Sequence, residues 1–222
     1  MTRTDWQDSM SNSNSSSALL IFTKAPVLGE VKTRLIPGIG ARRALSIYKE
    51  LLTKTLLTAR KAGFSTIQVW VSGDIEHCYF VNLKNRYSIQ LKQQSGKDLG
   101  QRMSNAFDIT LSRYSSAVLI GCDCPSLEYS DLSEAKKHLE NNADVVLGPA
   151  VDGGYYLIGL NKNDKQLFAD IKWGRDSVFN DTCANIDSLN WKMKLLSRRW
   201  DVDRIIDLLP YYRTMRTASV LN

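Results

Sequence analysis

With 222 residues, 43% of them hydrophobic, the chain can build one large domain around a real core, and no run approaches the roughly 18 apolar residues a membrane-spanning helix needs. The net charge of +6 comes without a stripe of stackable aromatics or a helix-turn-helix pattern, so a nucleic-acid partner is not expected. Four cysteines and two histidines do not fall at zinc-ligand spacings, which points to reduced thiols and a cytoplasmic setting.

In chain order, residues 1–17 contain the polar run SMSNSNSSS and read as a disordered tail; residues 18–222 read as a single domain. The apolar run Ala18 to Phe22 is too short, and too polar upstream, for a secretory signal. ALLIFT (Ala18 to Thr23) reads instead as a first buried strand. A loop punctuated by Pro26, Gly29, Pro37, Gly38 and Gly40 follows, then a helix from about Ala41 to Lys61, whose apolar residues recur on one face until Gly63. TIQVWV (Thr66 to Val71) is a second strand, Ile75 to Asn85 a helix, and Ser88 to Lys92 a short third strand. After a polar loop, Gln101 to Arg113 reads as helix, Val118 to Ile120 as a central strand, and Tyr129 to Asn141 as another helix. Strands at Asp144 to Leu147 and Tyr155 to Leu160 flank the turn Val151-Asp152-Gly153-Gly154, which requires an antiparallel strand pair. A strand from Trp191 to Leu196 and a last helix from near Val202 complete the chain. Strands alternating with helices predict a three-layer α/β/α sandwich with a mostly parallel, mixed sheet.

Three stretches carry possible chemistry. Asp123 falls just past the central strand, and Pro125 ends that strand, since proline cannot donate to a sheet ladder. A carboxylate there suits Mg²⁺ or Mn²⁺, which keep positions for water and phosphate oxygens; equally, it can start a turn or cap the next helix. The loop after the first strand has neither G-x-G-x-x-G nor a Walker A spacing. It does hold Lys24, Lys32 and Arg34, cationic donors suited to a di- or triphosphate; a solvated basic loop is the plain alternative. Cys124, beside Asp123, has no histidine near it in sequence and reads as packing rather than a nucleophile.

FTKAPVLGEVKTRL, QQSGKDLGQRM, GCDCPSL and GPAVDGGYYLIGL, in that order, resemble the DUF2064 family (the rSAM/selenodomain-associated transferase 1 type), which belongs to the nucleotide-diphospho-sugar transferases of GT-A fold. The block of Lys24 with Lys32-Thr33-Arg34-Leu35 is also similar to the nucleotide loop of 2-phospholactate guanylyltransferases. The resemblance implies a GT-A domain, a nucleotide-activated substrate, a divalent metal and transfer of a nucleotidyl or glycosyl group. It implies nucleotide contacts from Lys24, Gly29, Lys32, Thr33, Arg34, Asp98 and Arg102, with Lys24, Arg34 and Asp123 in the chemistry. It places an acceptor pocket at Asp152, Gly153, Gly154 and Tyr155, with Trp173 closing over it, although a simple hairpin turn and a buried structural Trp fit the same residues. Asp123 stands where GT-A enzymes put their metal aspartate, but Asp123-Cys124-Pro125 replaces the Asp-x-Asp of glycosyltransferases and favours nucleotidyl transfer from an NTP to a phosphorylated acceptor. A second ligand then has to come from elsewhere, Asp152 and Asp203 being the candidates; Asp203 can equally cap the last helix. Glycosyl transfer from a nucleotide sugar and non-catalytic nucleotide binding stand as alternatives. Neither the base, the acceptor nor the oligomeric state follows from the sequence.

Overall fold

The computed structural model describes residues 16–213. The tail expected over residues 1–17 lies outside these except for its last two residues, and Ser17 already belongs to the first strand. Seven strands form one sheet: β1 (Ser17–Lys24), β2 (Thr66–Ser72), β3 (Gln90–Gln93), β4 (Ser116–Gly121), β5 (Val145–Pro149), β6 (Tyr155–Leu160) and β7 (Met193–Leu195), in the order β3-β2-β1-β4-β6-β5-β7. All pairings are parallel except those of β6, which runs antiparallel to both β4 and β5.

The strands are continuous apolar runs because both faces of the sheet are covered. Leu19 and Ile21 of β1 face one core, while Ala18, Leu20 and Phe22 face the other. The first core is closed by α1 (Ile36–Lys61), α2 (Cys78–Tyr87) and α4 (Tyr129–Glu140), the second by α3 (Leu99–Leu111) and α5 (Val178–Ser188). This is the three-layer sandwich expected.

Element ends differ from expectation for local reasons. Gly40, at φ 75°, breaks α1, so its regular part runs from residue 41. The second helix starts at Cys78 rather than Ile75 because His77 caps it, its ring nitrogen accepting the Tyr79 amide hydrogen. Asp98 caps α3 in the same way, accepting from the Gln101 amide at 2.8 Å. No helix begins at Val202: the chain stays extended there, turns at Ile205–Asp207, and becomes helical only over residues 208–213.

That extended stretch, residues 196–204, works as a strap. Leu196 donates to Leu147 and Arg199 to Pro149, while Val151 donates back to Arg199, so the strap prolongs the β5 edge beyond β7. It then crosses to the middle of the sheet, where the Val202 amide donates to the Asp123 carbonyl at 3.0 Å. Val202 is fully buried in a third cluster with Leu35, Ile47, Leu51 and Tyr211, which fixes the crossing against α1. Among the described residues no helix is long and apolar enough to cross a membrane.

Candidate functional site

The connection from β1 moves outward through β2 to β3, and the chain then returns to the other side of β1 to form β4. Neighbouring β1 and β4 are thus followed by connections that leave in opposite directions, which opens a crevice beyond their carboxyl ends. Lys24 and Asp123 emerge on its two sides. A cleft of about 540 Å³ occupies this position, lined by Lys24, Lys32, Thr33, Arg34, Arg102 and Asp123 among others.

Each basic residue is placed by a different element. Tyr48 of α1 fixes the start of the loop: its hydroxyl accepts from the Lys24 amide at 2.7 Å and donates to the Lys24 carbonyl at 2.9 Å. Lys32 has a left-handed backbone (φ 49°, ψ 40°) and turns its side chain inward until only 4% of it is exposed. Its ammonium lies 3.0 Å from Asp123 Oδ2 and donates to the Val202 carbonyl at 2.6 Å. Burial opposes that charge, but the Asp123 carboxylate outweighs it and holds the ammonium above its ordinary pKa. Arg34 forms an ion pair with Asp203 at the outer rim, where both are exposed. Arg102 reaches the cleft from α3, bonded to the Gly96 carbonyl and Ser72 Oγ.

A second pocket, about 650 Å³, adjoins the first across Arg34, Leu99 and Asp203. Trp173, Trp200 and Tyr155 line it together with five aspartates (Asp152, Asp176, Asp201, Asp203 and Asp207) and three arginines (Arg34, Arg175 and Arg204). Trp173 is a partly buried wall that belongs to the second core and packs near Phe168. Its indole lies so close to α3 that a β-carbon on Gly100 would come within 2.7 Å of it.

Between the two spaces lies a small chamber of about 170 Å³ that Asp123, Asp152 and Asp201 all line. Burial first, and then the negative charge of Asp152, push the Asp201 carboxyl up to about 6. Hard oxygen donors around such a chamber suit Mg²⁺ or Mn²⁺. No three acidic, histidine or cysteine side chains converge as a ready-made metal cage among the described residues. A metal that shares its coordination with phosphate and water does not require one.

The other expected residues separate clearly. Gly29 supplies a turn at φ 86° and does not line the cleft. Asp98 is the α3 cap and faces a different groove, alongside Gly100 and Asn105. Asp152, Gly154, Tyr155 and Trp173 line the second pocket; Gly153 makes the turn possible behind it. The β-carbon of Cys124 leads to a thiol that burial pushes up to about 11, so it is packing and not a nucleophile. Sequence reasoning missed Asp201, Trp200, Arg175 and Arg204. A signal existed for the first: in Asp201-Val202-Asp203 an apolar residue alternates with two acids, and in an extended segment a buried valine turns both acids to the opposite side.

The fold is similar to that of several solved structures. A protein from Desulfovibrio desulfuricans G20, provisionally described as a nucleotide-diphospho-sugar transferase, is 30% identical, with a TM-score of 0.81 over 90% of this chain and 87% of that one. The inositol-1-phosphate CTP transferase of T. maritima is 13% identical, with a TM-score of 0.61 over 91% and 96% of the two chains. Rv0371c from Mycobacterium tuberculosis H37Rv, in complex with manganese, is 15% identical, with a TM-score of 0.54 over 90% and 98%. The last two likenesses concern the fold alone. No curated protein matches the chain. The family described as "uncharacterized protein conserved in bacteria" (DUF2064) matches residues 55–175. With that match covering more than half its length and a 30% identical relative of the same architecture, the chain belongs to the DUF2064 family and has the nucleotide-diphospho-sugar transferase fold.

Proposed function

We propose that the protein is a glycosyltransferase that takes a nucleotide sugar as donor and a hydroxyl group as acceptor. The observation that carries this reading is the pairing of two unlike compartments across one rim: a basic cleft around Asp123 and an acidic, indole-walled pocket beside it. Lys24, Arg34 and Arg102, which line the cleft, would hold the diphosphate. Aromatic walls and carboxylates suit a ring bearing hydroxyls, which they stack against and hydrogen-bond, and five aspartates against three arginines disfavour a phosphate ester. The relative at 30% identity carries a description in keeping with this.

In the reaction, the acceptor oxygen attacks the anomeric carbon of the donor. The bond from that carbon to the diphosphate breaks, and its electron pair leaves on the phosphate oxygen. The acceptor proton passes to the carboxylate of Asp201, which lines the chamber between the two compartments together with Asp123 and Asp152. The basic side chains stabilise the charge that develops on the departing diphosphate. A divalent metal would be held by Asp123 with Asp152 and would supply further neutralisation of the diphosphate.

Nucleotidyl transfer is the second reading, favoured by the single strand-end carboxylate in Asp123-Cys124-Pro125. In that case Arg175 and Arg204 would meet a phosphorylated acceptor. Incubating the protein and Mn²⁺ with a panel of nucleotide sugars and NTPs, each with mixed hydroxyl-bearing and phosphorylated small-molecule acceptors, separates the two: glycosyl transfer releases a nucleoside diphosphate, nucleotidyl transfer releases pyrophosphate. The expected product is the diphosphate, with turnover falling roughly 100- to 1000-fold in Asp123→Asn, the scale of losing one preorganised electrostatic contact. Pyrophosphate release would move the assignment to the second reading, and nucleotide binding without either product would remove the enzyme.

A further inference from the structure

Three parts of the chain meet at Lys32. Its ammonium bonds at once to the Asp123 carboxylate and the Val202 carbonyl, while the Val202 amide holds the Asp123 carbonyl. The loop after β1, the end of β4 and the strap are therefore tied at one point. The left-handed backbone at Lys32 is unusual for a residue with a β-carbon, and here it directs the side chain inward to the carboxylate. Among the described residues, Lys32 is the cation paired with Asp123; Arg34 is engaged by Asp203, and Arg102 by Gly96 and Ser72.

We propose that Lys32 is an internal counter-ion that keeps a divalent metal off Asp123 until a nucleotide diphosphate arrives. An ammonium and a divalent cation cannot both sit against one carboxylate oxygen without an anion between them, because like charges at that distance repel strongly. An incoming diphosphate supplies that anion: it attracts the ammonium, frees the Asp123 oxygen, and adds its own oxygens to the metal's shell. Metal and nucleotide therefore bind with positive coupling, and the coupling resides in Lys32. This rests on the reading of Asp123 as the metal residue and concerns the order in which the site fills.

The test is Mn²⁺ binding followed by water-proton relaxation enhancement, which distinguishes protein-bound from nucleotide-bound metal. Wild type, Lys32→Met and Asp123→Asn are each titrated alone and with a panel of nucleoside diphosphates. Wild type should bind Mn²⁺ weakly alone and roughly 10- to 100-fold more tightly with the matching diphosphate, within the usual range of coupling between two sites. Lys32→Met should bind Mn²⁺ alone about 10-fold or more tightly than wild type and gain little from the nucleotide. Were Lys32 merely holding Asp123 in place, its loss would leave Mn²⁺ affinity unchanged or lower it, and that result overturns the proposal. The wild type provides a check independent of how well the variant folds, since equal Mn²⁺ affinity with and without nucleotide also overturns it. Failure of the latch alone leaves Mn²⁺ binding that Asp123→Asn abolishes; absence of Mn²⁺ binding in every sample removes the metal reading together with the latch.

Discussion

On the β3-β2-β1 side of Asp123, the site is made from short loops that directly follow their strands. Lys24 ends β1, Lys32 and Arg34 lie in the next loop, and Arg102 opens α3 soon after β3. On the β6-β5-β7 side, the sheet reverses direction and carboxylates outnumber the cations. Its key residues arrive from far apart: Asp152 from the β5–β6 turn, Trp173 from the segment before α5, and Asp201 on the strap. The cationic side is built mostly from residues close to their own strands, and the strap reaches it at two points, the Lys32–Val202 bond and the Arg34–Asp203 pair. The acidic side depends on long-range ties, and the Arg199–Asp131 pair is foremost among them. Arg199 donates to both Asp131 oxygens, at 3.0 and 2.9 Å, and Asp131 is only 3% exposed. Charge and construction thus divide along the same line through the sheet.

The largest stability effect expected from this contrast follows removal of that tie. Arg199→Met leaves the buried Asp131 carboxylate without its partner and should lower unfolding free energy by about 3 kcal/mol in urea titrations. A loss well below about 1 kcal/mol would mean that the backbone hydrogen bonds of the strap suffice and that the contrast is overstated.

Next comes the Gly153-Gly154 pair, whose members look equivalent in sequence. A β-carbon on Gly153 would lie 2.3 Å from the Asp176 carbonyl oxygen, and φ there is 91°. On Gly154 the nearest atom would be a carboxylate oxygen of Asp152 at 3.3 Å. Gly153→Ala should therefore cost about 2 kcal/mol and Gly154→Ala less than about 1 kcal/mol. Equal losses, measured by thermal unfolding, would remove the distinction.

The smallest effect concerns Asp201. Its carboxyl is raised from an ordinary 3.8 to about 6, so folding disfavours the charged form. The cost is full above pH 6, shrinks as pH falls through the window between these values, and is absent below about 4. Asp201→Asn should be more stable than wild type at pH 7 by on the order of 1 kcal/mol, discounted for the solvent-facing side of the group. For a chain of this size that amounts to roughly 2–4 °C in Tm, and the advantage should vanish near pH 4. An advantage that grew toward low pH would have the wrong sign and would contradict a carboxyl that burial and then Asp152 hold above its ordinary value.

The same division explains what could be read from the sequence. β1, β2 and β4 are legible because a strand covered on both faces is an unbroken apolar run, and Asp123 is legible because Pro125 ends one abruptly. Lys32 is recognisable as a basic loop residue, but its pairing with Asp123 depends on a left-handed turn that lysine does not announce. Asp98 is legible from its spacing alone: the loop fits an ordinary helix entry, and Asp98 caps α3 there. The strap is illegible for a physical reason. It makes few ladder bonds of its own, and its long-range partners lie 41 to 170 positions away in the chain, as in the Tyr156–Ser197 and Lys32–Val202 bonds. No local period encodes such distances.

The strap also sets when the site can exist during synthesis. Of the residues lining the cationic cleft, all but Asp203 have been translated by the time β4 and Asp123 emerge, so a nascent chain can begin burying β1 through β4 while Lys32 still lacks its Val202 partner. Val202, which closes the knot at Asp123, and Asp201 beside it follow nearly 80 residues later, a separation read from their positions in the chain. A ribosome stalled before them leaves a chain that has the loop after β1 and Asp123 but lacks the strap residue that ties the two together.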